Sequence, residues 1–146
     1  MTISFASAHY AQQVKAFADP MDRLRLIVVC IVLGSENFDD VNNDRSGRRG
    51  AALSREHLRL AEARPKDLHA ALSPLITLIA EHLSAGMESG SVRRDDAHML
   101  AALIYNVVST TTHMELLTHE MARPDRERRN ALANEIWEFC RRAIAA

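Results

Sequence analysis

The sequence predicts an all-α protein, a single domain of about six helices. Three observations carry that reading. A chain of 146 residues matches one domain and is long enough to bury a core. Hydrophobic residues make up 47% of it but aromatics only 5%, with five glycines and four prolines, a balance that favours helices over strands. Apolar residues also recur every three or four positions along most of the chain, the period of an amphipathic helix.

Phe5, Tyr10, Val14 and Phe17 predict a first amphipathic helix ending near Ala18. Asp19-Pro20 reads as an N-cap with proline at the first helical position, launching a helix through Leu24, Ile27, Val28 and Ile31 toward Gly34. Its β-branched residues mean that burial, not propensity, must hold it helical. Residues 35 to 50, SENFDDVNNDRSGRRG, have the Asn, Asp, Ser and Gly content of a solvated loop. Ser54 is placed to cap a short helix carrying His57, Leu58 and Ala61, which must stop near Arg64 because Pro65 follows. Residues 67 to 72 suit a further helical turn, and Ser73-Pro74 either begins a new helix or kinks a continuing one.

From Pro74 onward Leu75, Leu78, Ile79, His82 and Leu83 form a helical stripe, and Gly90 suits the left-handed position just past its end. Asp95 and Asp96 then complement the positive end of a new helix, with the neighbouring arginines read as surface residues of the connection. That helix, from about 95 to 118, would run roughly 36 Å at about 1.5 Å per residue. It is apolar on opposite faces: one stripe is Ala97, Ala101, Ile104, Val108 and Thr111, another Met99, Leu103, Asn106, Thr110, His113 and Leu117. Pro124-Asp125 opens a last helix with two adjoining stripes, Leu132, Ile136, Phe139, Ala143 and Ala133, Trp137, Cys140, Ile144. Both carry more apolar surface than one core needs, which predicts a helix-on-helix homodimer interface.

A formal charge of -1 lacks the footprint of sequence-independent phosphate binding, and Arg45, Arg48 and Arg49 are too few and too local to argue for DNA. The N-terminal stretch has no basic segment followed by an apolar one, and the longest apolar run, residues 26 to 33, is far short of the about 20 residues of a membrane span. A cytoplasmic protein without membrane contact is expected. Cys30 and Cys140 have neither CxxC spacing nor a secreted framework and read as buried thiols. Seven histidines form no HExxH, and His113 and His119 fall on different helix faces, so no metal site is expected. Nor is there a GxSxG, a phosphate loop or a dinucleotide fingerprint, so no catalytic residues, cofactor or enzymatic activity are expected.

In order and spacing, ADPMDRLR (18 to 25), AEHLSAGMESGSVRRDDAHMLAALIYNVV (80 to 108) and LANEIWEFCRRAI (132 to 144) make the chain resemble the C-terminal regulatory domain of TetR-family transcriptional repressors. The resemblance implies a helical sensor in which the last two helices pair with their copies in a four-helix dimer interface. The earlier helices would enclose a pocket for a small apolar or amphipathic effector. Residues 1 to 20 contain no turn glycine or basic recognition helix, so DNA contact is expected only through a head domain outside these residues. A ligand-free helical interaction module is the alternative.

A pocket is expected between the helices of 21 to 34 and 74 to 89 and the inner face of 95 to 118, lined by Cys30, Leu78, His82, Tyr105, Asn106 and Ser109. Tyr105 offers a rigid ring with one hydroxyl and His82 a neutral donor and acceptor. Against this, a lone histidine on an apolar face is more often a core residue, and Asn106 and the Ser-Thr-Thr-Thr run at 109 to 112 could bond back to helical carbonyls or cross the dimer seam. The expected interface residues are Ala101, Ile104, Val108, Leu132, Ile136, Trp137, Phe139 and Cys140.

Overall fold

A computed structural model of the chain describes residues 3–33, 45–118 and 126–146. Among these residues the fold is all-helical: α1 (Ile3–Gln13, continued by a 3-10 turn, Val14–Ala16), α2 (Pro20–Leu33), α3 (Arg45–Ala63), α4 (Pro65–Ser89), α5 (Ala97–Thr118) and α6 (Arg126–Ile144). The only extended pairing among them is an isolated bridge, Val92 to Ala145.

The start of α2 follows the sequence. Asp19 Oδ1 accepts from the Met21 amide at 2.9 Å and Pro20 occupies the first helical position, so an otherwise unpaired N–H is satisfied and another is absent. Leu24, Ile27, Val28 and Val32 are almost fully buried, which is what holds this β-branched segment helical.

Two expectations are corrected in the middle of the chain. Residues 45 to 50 are not loop, and Ser54 does not cap a short helix: α3 begins at Arg45 and passes through Ser54. The expectation rested on the glycines at 47 and 50. An isolated glycine disfavours a helix interior by only about 1 kcal/mol, which packing of α3 against α4 and α5 offsets. The rest of the expected loop, 35 to 44, lies outside the described residues. The alternatives left open at Ser73-Pro74 resolve to one continuous helix, with Pro65 at its start and Pro74 inside it. Proline removes one backbone donor, but Ala70 and Pro74 are both exposed, so water can reach the carbonyl left without a partner.

The α4–α5 connection is fastened at both ends. Gly90 takes the left-handed conformation, φ 84°, that ends α4. The Gly86 carbonyl accepts from the amides of Ser91 and Val92 at 2.9 and 3.0 Å. This approach needs a glycine at 86, because a Cβ there would lie 2.4 Å from Val92 Cγ2. Asp96 caps α5, accepting from the Met99 amide at 3.0 Å. Arg93, read from sequence as a surface residue of the connection, also clasps the end of α6: its amide donates to the Ile144 carbonyl at 2.8 Å and its Nε to the Ala143 carbonyl at 2.9 Å. A cation at a helix C-terminus offsets the partial negative charge there.

Helix α4 is central, packing against α1, α2, α3 and α5, while α6 lies along α2 and touches α5 only lightly. Arg25 of α2 reaches Asn134 at 3.4 Å and Arg129 donates to the Leu33 carbonyl at 3.2 Å, so α2 and α6 run antiparallel. Among the described residues α4 is the one helix long and apolar enough, by length and composition, to cross a membrane. Its Leu68, Leu72, Leu75, Ile79 and Leu83 are buried by the surrounding helices.

Six expected interface residues are instead core. Ala101, Ile104 and Val108 of α5 and Ile136, Trp137 and Cys140 of α6 are all 7% exposed or less within one chain. Leu132 is partly buried against the same core, leaving Phe139, 64% exposed, as the one of the eight that is free. The apolar residues that α5 leaves exposed are Met99 and Leu103 of its other stripe together with Val107 and Met114, which belonged to neither expected stripe. Periodicity finds two faces but does not say which one the chain itself covers.

Candidate ligand-binding site

Helix α5 mixes polarity on its two sides, burying hydroxyl side chains together with Ala101, Ile104 and Val108. While Met99, Leu103, Val107 and Met114 face outward, Tyr105, Ser109 and Thr112 are buried, and His113 extends the same inward strip. Spacings of four and three place Tyr105, Ser109 and Thr112 on one helical face, and His113, one step on, lies at the edge of that strip. A core-facing surface of this kind is costly unless each polar group finds a partner.

Some do so locally. Thr112 Oγ1 donates to the Val108 carbonyl at 2.7 Å, the back-bond anticipated for the Ser-Thr run. The Tyr105 hydroxyl shares a hydrogen bond with Ser109, while burial pushes its pKa up to about 12, so it is held as a neutral phenol. Across the interior, Tyr10 of α1 is likewise raised to about 12, first by burial and then by proximity to Cys30 and Tyr105. Its hydroxyl points to the Cys30 carbonyl at 3.5 Å, and the Cys30 thiol lies 3.8 Å from Gln13 Oε1. Burial raises the Cys30 thiol as well, so it stays protonated and unreactive.

Others depend on distant parts of the chain. His113 Nδ1 is 2.8 Å from Ser54 Oγ on α3, and Ser54 is only 2% exposed. The His57 ring, one helical turn beyond Ser54, lies with its centre 4.7 Å from that of His113, tilted by 48°. The other nitrogen of His113, Nε2, is buried with no hydrogen-bond partner. Burial, and then the neighbouring His57, lowers the His113 pKa to about 4, and burial lowers His57 too. Both rings are therefore kept neutral, with an open valence on one of them.

On α4, His82 is 8% exposed and its Nε2 is also buried without a partner. Burial lowers its pKa first and the nearby Arg23 second, the exposed Glu81 opposing them.

Of the six expected lining residues, Cys30, Tyr105 and Ser109 come together in the interior beside Tyr10. His82 is buried on α4, and Leu78 is partly buried against the core. Asn106 does not belong with them. It is exposed on the outer face of α5, because the step from Tyr105 turns it about 100° away from the interior. Sequence reasoning missed Tyr10, Ser54, His57 and His113 as interior polar groups. The 105-109-112 spacing was a usable signal for the strip, but the pairing of Ser54 with His113 spans 59 residues and leaves no local trace. On the outside of α4 a separate open cleft of about 320 Å³ is lined by Thr77, Glu81, Ser84, Glu88 and His98, none of them expected site residues. No group of three or more metal-ligating side chains occurs among the described residues.

Comparison of the chain with protein-family models, with curated proteins and with solved structures gives no significant match.

Proposed function

We propose that the chain is the small-molecule-sensing and dimerisation domain of a TetR-like transcriptional repressor, binding an apolar or amphipathic effector among its helices. The observation that carries this reading is that α5 buries Tyr105, Ser109 and Thr112 beside its apolar core residues while it leaves Met99, Leu103, Val107 and Met114 exposed. A helix that serves only its own fold has no need to expose four large apolar side chains while it buries three hydroxyls. The inward strip, with buried imidazole nitrogens left unpaired on α4 and α5, has the few placed polar groups that a small-molecule site uses for orientation. The outward stripe offers a second copy a continuous apolar surface.

A ligand-free dimerisation module accounts for the outward stripe equally well but gives no reason for unpaired histidine nitrogens in the interior. Any contact with DNA belongs to a head domain outside these residues, and neither membrane nor cofactor enters this function.

Native mass spectrometry of the purified protein, compared with the same sample denatured, tests both halves. A dimer carrying extra mass that is lost on denaturation is expected and supplies the effector's mass. A monomer at micromolar concentration would sink the dimerisation half. A dimer that retains no small molecule from a cell extract, together with no thermal shift across a library of apolar and amphipathic compounds, would sink the sensing half.

A further inference from the structure

The interior polar groups differ in how well they are satisfied. Tyr105, Ser109 and Thr112 have partners, whereas His113 has one nitrogen tied to Ser54 and the other buried and open. A buried unpaired nitrogen is costly, and a second imidazole with its centre 4.7 Å away, tilted by 48°, supplies it no partner.

We propose that the Ser54–His57–His113 cluster is the head-group socket of the effector site and takes the carboxyl group of an apolar monocarboxylic acid. This rests on the reading of the chain as a small-molecule sensor. The charge around the cluster selects the class. On α3 the titratable neighbour is His57; Glu56, one residue before it, is exposed and paired with Arg59 at 2.7 Å. On α5, Glu115 faces Arg128 of α6 at 3.7 Å. At the N-terminal end of α4, Asp67 is exposed and paired with Arg64 at 2.6 Å, and His69 is exposed.

Among the described residues no carboxylate shifts the titration of either ring, while two neutral imidazoles are ready to accept a proton and balance an anion. The balanced step is simple. The ligand enters as its carboxylate, His113 Nε2 takes one proton from solvent, and the new N–H donates to a carboxylate oxygen while Nδ1–H donates to Ser54 Oγ. No other bond forms or breaks.

The test uses octanoate, 1-octanol and octylamine as probes of equal chain length, titrated calorimetrically at pH 7 in phosphate and in Tris, whose ionisation enthalpies differ. Octanoate is expected to bind with uptake of close to one proton per site, at least tenfold more tightly than either analogue. His113→Leu, checked for fold by circular dichroism, should abolish the proton uptake and weaken octanoate tenfold or more while leaving 1-octanol unchanged. Ser54→Ala, which keeps both rings, should weaken octanoate by a smaller factor. Nitrogen NMR of His113 should show the imidazolium form only in the octanoate complex. Octanoate binding without proton uptake, or unaltered in His113→Leu, overturns the socket. So does 1-octanol binding as well as octanoate, or no binding by any probe. In each case a small molecule retained in native mass spectra would still support the sensor, and that separates the two failures.

Discussion

His113 Nδ1 sits 2.8 Å from Ser54 Oγ, joining α5 to α3 through a contact that leaves the opposite edge of the imidazole buried and open. It is one hydrogen bond between residues with no local relation in sequence, yet it sets the ring's orientation and the direction in which its free nitrogen looks, while burial, and then His57, keeps the ring neutral.

That neutrality makes the fold sensitive to acid. Folding lowers the His113 pKa from 6.5 to about 4, so the folded state disfavours the proton. The contribution is fully present above pH 6.5 and is lost as the pH falls from there toward 4. Discounted for solvent screening, the loss is about 1–2 kcal/mol. Urea unfolding at pH 7.0 and 4.5 should show this difference in the native protein and a smaller one in His113→Gln. Equal pH dependence in the two proteins would remove His113 as the cause.

Gly86 should not tolerate a side chain. An added Cβ would meet Val92 Cγ2 at 2.4 Å, and Val92 is 2% exposed, with no room to retreat. Gly86→Ala is expected to cost about 1–3 kcal/mol by overpacking, in spite of alanine's better helix propensity. In a double-mutant cycle with Val92→Ala, recovery of most of that loss is expected; purely additive effects would place the strain elsewhere.

The two faces of α5 and α6 should respond differently to substitution. Trp137→Ala empties a 7% exposed site and should destabilise the fold by about 3–5 kcal/mol. Leu103→Glu, at a position 54% exposed, should leave the stability of the single chain within about 0.5 kcal/mol while dissociating the proposed dimer. Sedimentation and chemical denaturation of both variants separate the effects. A Leu103→Glu protein still dimeric at low micromolar concentration would move the interface off α5.

Asp96 holds the first turn of α5 through the Met99 amide. Asp96→Ala should cost about 0.5–2 kcal/mol, and Asp96→Asn much less, because asparagine caps a helix nearly as well. Denaturant midpoints of the two variants give the comparison directly; equal losses would mean that the cap hydrogen bond contributes nothing.

The all-α class and the ends of most helices were legible in the sequence because their causes are local. Asp19-Pro20 and Asp96 satisfy backbone donors within three residues, Pro65 stops one helix and starts the next, and Gly90 supplies a backbone angle that L side chains resist. The surplus of apolar surface on α5 was equally readable from its period. The side of α5 facing the core was not, since Ala101, Ile104 and Val108 are as apolar as Met99, Leu103 and Val107, and only packing against neighbouring helices buries the first set. For the same reason α3 extends through glycines that locally argue for a loop, and Pro74 lies within one helix instead of dividing two. The Ser54–His57–His113 cluster belongs wholly to tertiary structure. Local sequence determines which residues can form a helix and where it ends, but the environment of an imidazole is set by whatever the rest of the chain brings against it.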